Sequence, residues 1–252
     1  MCTLAIYFQT SAAFPVVVAA NRDEFYERPA RPPARLADDP WIVAGCDVRA
    51  GGTWLGVNAC GLVAGVLNRR SPTAPDPTRR SRGLLCLEAL RQRSVQAARA
   101  LVQREAAHLY NPFNLLIAAP DAACVIGNRS GQMLDTPLEP GLHLLTNLEL
   151  NDPECPRIAK SYGLFEEAQG HLTEHSVDRF LTRLRSILSD HSTPLDPREP
   201  LPPNNLCVHT DHFGTRSSTV LMYSARAQRF RMWHAAGPPC QVEYAKVELP
   251  RV

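Results

Sequence analysis

Short apolar runs dominate the first third of the chain, and stretches of helical period interrupt the rest. Runs of four to eight apolar residues rich in β-branched and aromatic side chains read as strands. They occupy residues 3–8, 15–20, 41–45, 53–58 and 62–68. The last two are joined by Ala59-Cys60-Gly61, which predicts a β-hairpin with Gly61 supplying the turn conformation. Prolines and aspartates crowd residues 28–40 and predict an extended loop there. Residues 69–82 carry five arginines and three prolines and predict a solvated loop. A helical pattern follows over 83–108, with Ser94 placed to cap a second helix whose Val95, Ala98, Leu101 and Val102 share one face.

Beyond that block the strand pattern returns at 113–119, 123–128 and 142–147. Two more helices are predicted over 157–168 and 176–189. The second carries Val177, Phe180, Leu181, Leu184, Ile187 and Leu188 on one stripe. A proline-rich connection covers 194–205, and strands at 217–224, 229–234 and 242–249 end the chain. There is no internal repeat and no linker. The expectation is one α+β domain over residues 1–252, with antiparallel hairpins and helices inserted in two blocks.

Composition narrows the functional classes. The chain has 252 residues, 44% of them apolar and 21% charged, which suits a folded protein with a full core. A net charge of only +2 lacks the basic footprint of a nucleic-acid binder. No apolar run reaches the length of a transmembrane helix. The start, Met1-Cys2-Thr3-Leu4, has no basic leader, so the expected setting is the cytoplasm. The eight cysteines are scattered without a CxxC pair and predict reduced core residues, neither a disulfide framework nor a metal site.

Cys2 stands apart because only the initiator methionine precedes it. Removal of Met1 would put a thiol and an α-amine on one residue. The amine, with a pKa of about 8, can then act as general base for its own thiol. Asn21-Arg22-Asp23 closes the next strand and reaches Cys2 if the two strands pair antiparallel. A carboxylate there can orient the nucleophile, and an arginine can favour thiolate. Asn68 and Asn147 also end strands, where side-chain amides can donate to a developing oxyanion. Arg216, in Thr215-Arg216-Ser217-Ser218-Thr219, is a candidate to hold a carboxylate. For each of these the alternative is turn or solvent chemistry.

Taken together these blocks resemble a known family. Met-Cys-Thr at the start, Asn21-Arg22-Asp23-Glu24 after a strand, and Gly51-Gly52-Thr53-Trp54-Leu55-Gly56 are part of the pattern. Asn58, Gly61 and Asn68, Leu145-Thr146-Asn147 and Gly214-Thr215-Arg216-Ser217-Ser218 complete it. The pattern is similar to the NRDE-motif, or transport and Golgi organisation protein 2, family. That family resembles the cysteine branch of the N-terminal nucleophile hydrolases. The resemblance implies a four-layer αββα sandwich with two mostly antiparallel sheets between helix layers. It also implies Cys2 as nucleophile, Asp23 as its orienting carboxylate, and Asn68 and Asn147 as oxyanion donors. The arginine that the hydrolase pattern has three residues before its aspartate is Ala20 here, with Arg22 next to Asp23 instead. Strand alternation predicts that Arg22 and Asp23 face opposite sides.

Two functional readings follow. One is a thiol hydrolase or acyltransferase acting on a small amide or thioester of lipid or acyl-CoA type. It needs no cofactor, and its substrate contacts are Asn21, Arg22 and Arg216, with Arg79, Arg80 and Arg82 meeting an anionic portion. The other is a non-catalytic carrier of the same fold handling acyl-CoA or haem. For haem, Cys155-Pro156 and the histidines His209 and His212 around Asp211 are the candidate contacts.

Overall fold

Residues 2–129, 131–192 and 205–250 are described by a computed structural model. The chain divides into two units. The first is assembled from Met1–Glu27, Pro140–Ala227 and Arg231–Glu248, and the second is built on Arg28–Glu139.

The first unit holds β1 (Thr3–Phe8) and β2 (Val16–Phe25). Its other strands are β10 (Gly141–Leu145), β11 (Phe213–Ser224), β12 (Arg229–Ala235) and β13 (Ala245–Val247). The sheet order is β10-β1-β2-β11-β12-β13, so β1 and β2 lie centrally. Its helices are α3 (Pro156–Gln169) and α4 (Val177–Leu188). Pro156 opens α3 at a position where its missing N–H costs nothing. Asp178 and Arg185 sit at the two ends of α4 in the sense that its dipole favours.

One face of this sheet is apolar and receives both helices. Ala5, Tyr7, Val17, Ala19, Val220 and Met222 meet Ile158, Phe165, Phe180 and Leu184 in one buried cluster. The Tyr7 hydroxyl donates to the Phe165 carbonyl at 2.7 Å and the Tyr7 ring packs edge-on to Phe180. Truncating Phe180 to Ala would cost about 3–5 kcal/mol.

The second unit holds a seven-stranded sheet in the order β3-β4-β5-β6-β7-β8-β9. Its strands are β3 (Ala30–Asp38), β4 (Trp41–Asp47), β5 (Leu55–Asn58) and β6 (Val63–Asn68), followed by β7 (Phe113–Ala119), β8 (Ala122–Arg129) and β9 (Gln132–Pro137). Helices α1 (Arg82–Leu90) and α2 (Val95–Arg104) pack on it through Leu85, Ala89, Ala98 and Val102. Ser94 caps α2 by accepting from the Ala97 N–H, and Gly61 takes φ +78° in the β5–β6 hairpin, as the sequence pattern requires.

The α+β class with two antiparallel sheets is as expected, but three elements differ. Residues 28–40, read as a loop, include β3. Pro32 and Pro33 are tolerated because β3 is an edge strand whose register shifts between Arg31 and Ala34. Residues 132–137, where no strand was expected, form β9. The final strand shrinks to the three residues of β13. The proline-rich connection 194–205 lies, except for residue 205, outside the described residues.

Candidate active site

The site begins with strand register. Thr3 pairs with Asn21 on β2, and Leu4 pairs with Leu145 on β10. Arg22 follows Asn21 on β2, and Asn147 lies buried two residues past the end of β10. Side-chain alternation then sorts the faces. Ala5, Tyr7, Val17 and Ala19 point to the helices, so Thr3, Asn21 and Asp23 point there too. Cys2 and Arg22 share the other face. Arg22 therefore turns away from the side chain of Asp23, as alternation predicts, and toward the face of the thiol.

Asp23 makes two different contributions. Its main-chain carbonyl accepts from the Cys2 thiol at 3.7 Å. Its carboxylate accepts from the Thr215 hydroxyl at 2.7 Å and meets Arg157 Nη1 at 3.4 Å. Arg157 also donates to Thr3 Oγ1 at 3.1 Å. Arg157 is only 2% exposed, and Thr3 and Thr215 are equally hidden. This network lies under the chain start and fixes the ends of β1, β2 and β11 together. Asn21 holds the same region by donating to the carbonyls of Leu188 and Leu206, both at 2.8 Å. The Leu188 carbonyl belongs to the last turn of α4, where helix carbonyls lack internal partners.

Two features re-aim β11. Its register shifts between Thr215 and Ser217, so Arg216 is the extra residue of a bulge. The Arg216 guanidinium lies 5.6 Å from the centre of the Tyr26 ring, and its buried Nε has no hydrogen-bond partner among the described residues. Gly214 is held by close approach, because a Cβ there would stand 2.3 Å from the Tyr26 hydroxyl and 2.6 Å from the Val208 carbonyl.

Burial raises the Cys2 thiol pKa above its ordinary value, and the Asp23 charge adds to the rise. The chain's N-terminal ammonium, the hydrogen bond to the Asp23 carbonyl and the Arg22 charge oppose it without cancelling it. The resting thiol is therefore protonated and needs a base.

The remaining candidates belong to other elements. Asn68 ends β6 in the second unit and is exposed. A cleft of about 690 Å³ in that unit is lined by Arg69, Arg70, Arg79, His108, Asn111 and Arg129. Arg79 donates to the Tyr110 carbonyl at 2.9 Å while lining the cleft. Arg80 is taken up by Glu105 and Glu88 and stacks on Tyr110. Arg82 donates to the Pro112 carbonyl. Cys155 is buried at the start of α3 near Thr146 Oγ1, and His212 is exposed in the turn before β11.

Arg157 is the residue that the sequence reading missed. One signal was present: Arg157, Ser161, Phe165 and Ala168 share a helical face, so a charge sits on a buried stripe. Arg129, which brings a fourth arginine to the cleft from the end of β8, carried no such signal.

Two antiparallel sheets, each packed with a pair of helices, define the class as an α+β fold. The N-acylethanolamine-hydrolyzing acid amidase ortholog of Caenorhabditis elegans superposes with a TM-score of 0.58 at 14% identity, covering 87% of this chain and 92% of that one. Penicillin V acylase from Agrobacterium tumefaciens gives 0.54 at 12% identity over 98% of both chains. A variant of conjugated bile acid hydrolase from Clostridium perfringens gives 0.51 at 10% identity over 98% and 92%.

Sequence places the chain more narrowly. The model of the family Transport and Golgi organisation 2 matches residues 1–233, and the chain belongs to that family. The Transport and Golgi organization protein 2 homolog of Bos taurus is 31% identical over 249 residues, covering 89% of each chain. The homolog of Mus musculus is 29% identical over the same span.

Proposed function

We propose that this chain is a thiol hydrolase or acyltransferase in which Cys2, freed by removal of Met1, attacks the carbonyl of a small amide or thioester. The observation that supports the reading is the Cys2 thiol on the Asp23 carbonyl, at the head of β1 where Thr3 pairs with Asn21. The α-amine of Cys2 takes the thiol proton, and Sγ bonds to the carbonyl carbon. The Asn147 amide donates to the oxygen that gains charge. Collapse returns the proton to the leaving amine or thiol and leaves an acyl group on Sγ. Water or a second acceptor then removes it. Arg22 stabilises the thiolate, and Arg157 and Thr215 hold Asp23 so that its carbonyl stays on the sulfur.

The arginine-lined cleft of the second unit supports a phosphorylated acyl donor such as acyl-CoA as the substrate class. The proposed setting is the cytoplasm, a reading supported by eight cysteines that are all unpaired.

The test is a panel of thioesters and amides against the wild type and Cys2→Ala, with an intact mass taken on each preparation. Turnover that disappears in Cys2→Ala, in protein lacking Met1, is the expected result. Retention of Met1 in active protein would end the self-activated mechanism. Tight ligand binding without turnover, unchanged in Cys2→Ala, would favour a carrier instead.

A further inference from the structure

Four soft donor side chains converge in the first unit, outside the nucleophile site. They are His191, just past the end of α4, Cys207 and His209 in the turn before β11, and Cys240 beyond β12. Their donor atoms all lie within 4.8 Å of one another. Within the cluster, Cys207 Sγ is 3.6 Å from Cys240 Sγ and 3.6 Å from His209 Nε2. His209 Nε2 is 3.2 Å from Cys240 Sγ.

These three distances are on the scale of the edges of a coordination tetrahedron. Zinc bound at usual lengths sets two thiolate sulfurs about 3.8 Å apart and a sulfur and an imidazole nitrogen about 3.5 Å apart. Two imidazoles aiming nitrogens at one such ion have ring centres about 5.2 Å apart. The His191 and His209 ring centres are 5.1 Å apart. The outer partner is also in place. His191 Nδ1 lies 2.9 Å from the Cys207 carbonyl, which fixes the tautomer and leaves Nε2 for an ion.

We propose that His191, Cys207, His209 and Cys240 form a closed, four-coordinate zinc site of structural type. The donor set is two sulfurs and two imidazole nitrogens with no carboxylate among them, which selects zinc over the harder divalent ions. The ion would clamp three segments that are far apart in sequence. One of them leads directly into the nucleophile site: the N–H of Val208 donates to Thr215 Oγ1, which itself donates to Asp23. Asn21 grips the neighbouring Leu206 carbonyl. The clamp would thus stiffen the strand ends under Cys2 without touching a substrate.

The experiment measures metal in untagged, full-length protein and adds cobalt(II) to the metal-free form. About one zinc per chain is expected, together with the strong visible absorption of cobalt in a tetrahedral thiolate and imidazole site. Cys240→Ser and His209→Gln should each weaken metal affinity about tenfold or more. Cys60→Ser, an exposed thiol of the second unit, should leave it unchanged. Cys207 is buried, so Cys207→Ser is used only if it folds; the two less buried variants and the cobalt spectrum carry the test without it. The proposal is overturned if reduced wild-type protein holds no zinc and takes up no cobalt. It is equally overturned if uptake is the same in Cys240→Ser and His209→Gln. A Cys207–Cys240 disulfide, with reduced protein still inert to cobalt, would show that the sulfurs meet for redox reasons.

Discussion

Arg157 reaches the carboxylate of Asp23 at 3.4 Å across 134 residues of sequence, with both side chains buried. The guanidinium is 2% exposed, and Asp23 and Thr3 both accept from it. Removing one partner of a buried pair leaves the other uncompensated, at a cost of about 3–5 kcal/mol. Arg157→Met is therefore expected to lower urea stability by that order. Asp23→Asn in the same chain should recover part of it, because the stranded charge is gone. A double-mutant cycle checks this, and strictly additive losses would show that the two residues do not couple.

The Cys2 thiol has charges of both signs around it. Burial and Asp23 raise its pKa, and Arg22 lowers it. Thiolate is the form that alkylates, so the rate of alkylation at Cys2 should rise with pH through an inflection above that of a free thiol. Arg22→Gln should move the inflection higher, because a stabilising cation is lost. Removing Met1 should move it lower, because the ammonium then sits on Cys2 itself. Mass-resolved alkylation at a series of pH values reads both shifts. An inflection that ignores Arg22→Gln would separate Arg22 from the thiol.

The sheets were largely legible because alternation and turn residues mark them locally: Gly61 and Ser94 act where their positions predict. β3 was hidden by Pro32 and Pro33, which deny a central strand but not an edge with bulges. β9 was hidden because Gln132–Pro137 is polar and mostly exposed, with little apolar pattern to read. In the candidate site the line runs between local and distant. Cys2 and Asp23 carry local motifs. Arg157 and the cluster at 191, 207, 209 and 240 arise from contacts between segments that no spacing rule connects.

His234 is buried on β12 with Nδ1 2.9 Å from Thr219 Oγ1, and burial pushes its pKa down to about 4. An unfolded histidine titrates near about 6.5. The folded chain thus binds this proton less readily than the unfolded chain. The stability is complete above about pH 6.5 and is lost as pH falls toward 4. Between pH 7.5 and pH 5 the loss amounts to about 2 kcal/mol. Urea midpoints of wild type and His234→Gln at both pH values test this. The variant should lose less stability on acidification than the wild type by that amount, and parallel losses would assign the acid sensitivity to other groups.

The arginines of the 69–82 segment separate into two kinds. Arg79 lines the cleft with Arg69, Arg70 and Arg129 and pairs there with Asp76, whereas Arg80 lies outside that lining, held by Glu105 and Glu88 over the Tyr110 ring. A charge-assisted contact to a phosphate is worth about 1.5–3 kcal/mol, so Arg79→Gln should weaken binding of coenzyme A by about tenfold or more. Arg80→Gln removes surface ion pairs worth at most about 1 kcal/mol. It should lower stability slightly and leave the dissociation constant alone. Calorimetric titration at two salt concentrations distinguishes them, because a phosphate contact weakens as salt screens it. If Arg80→Gln weakens binding as much as Arg79→Gln, the cleft is not the anion site, and the anionic ligand must be sought elsewhere on the chain.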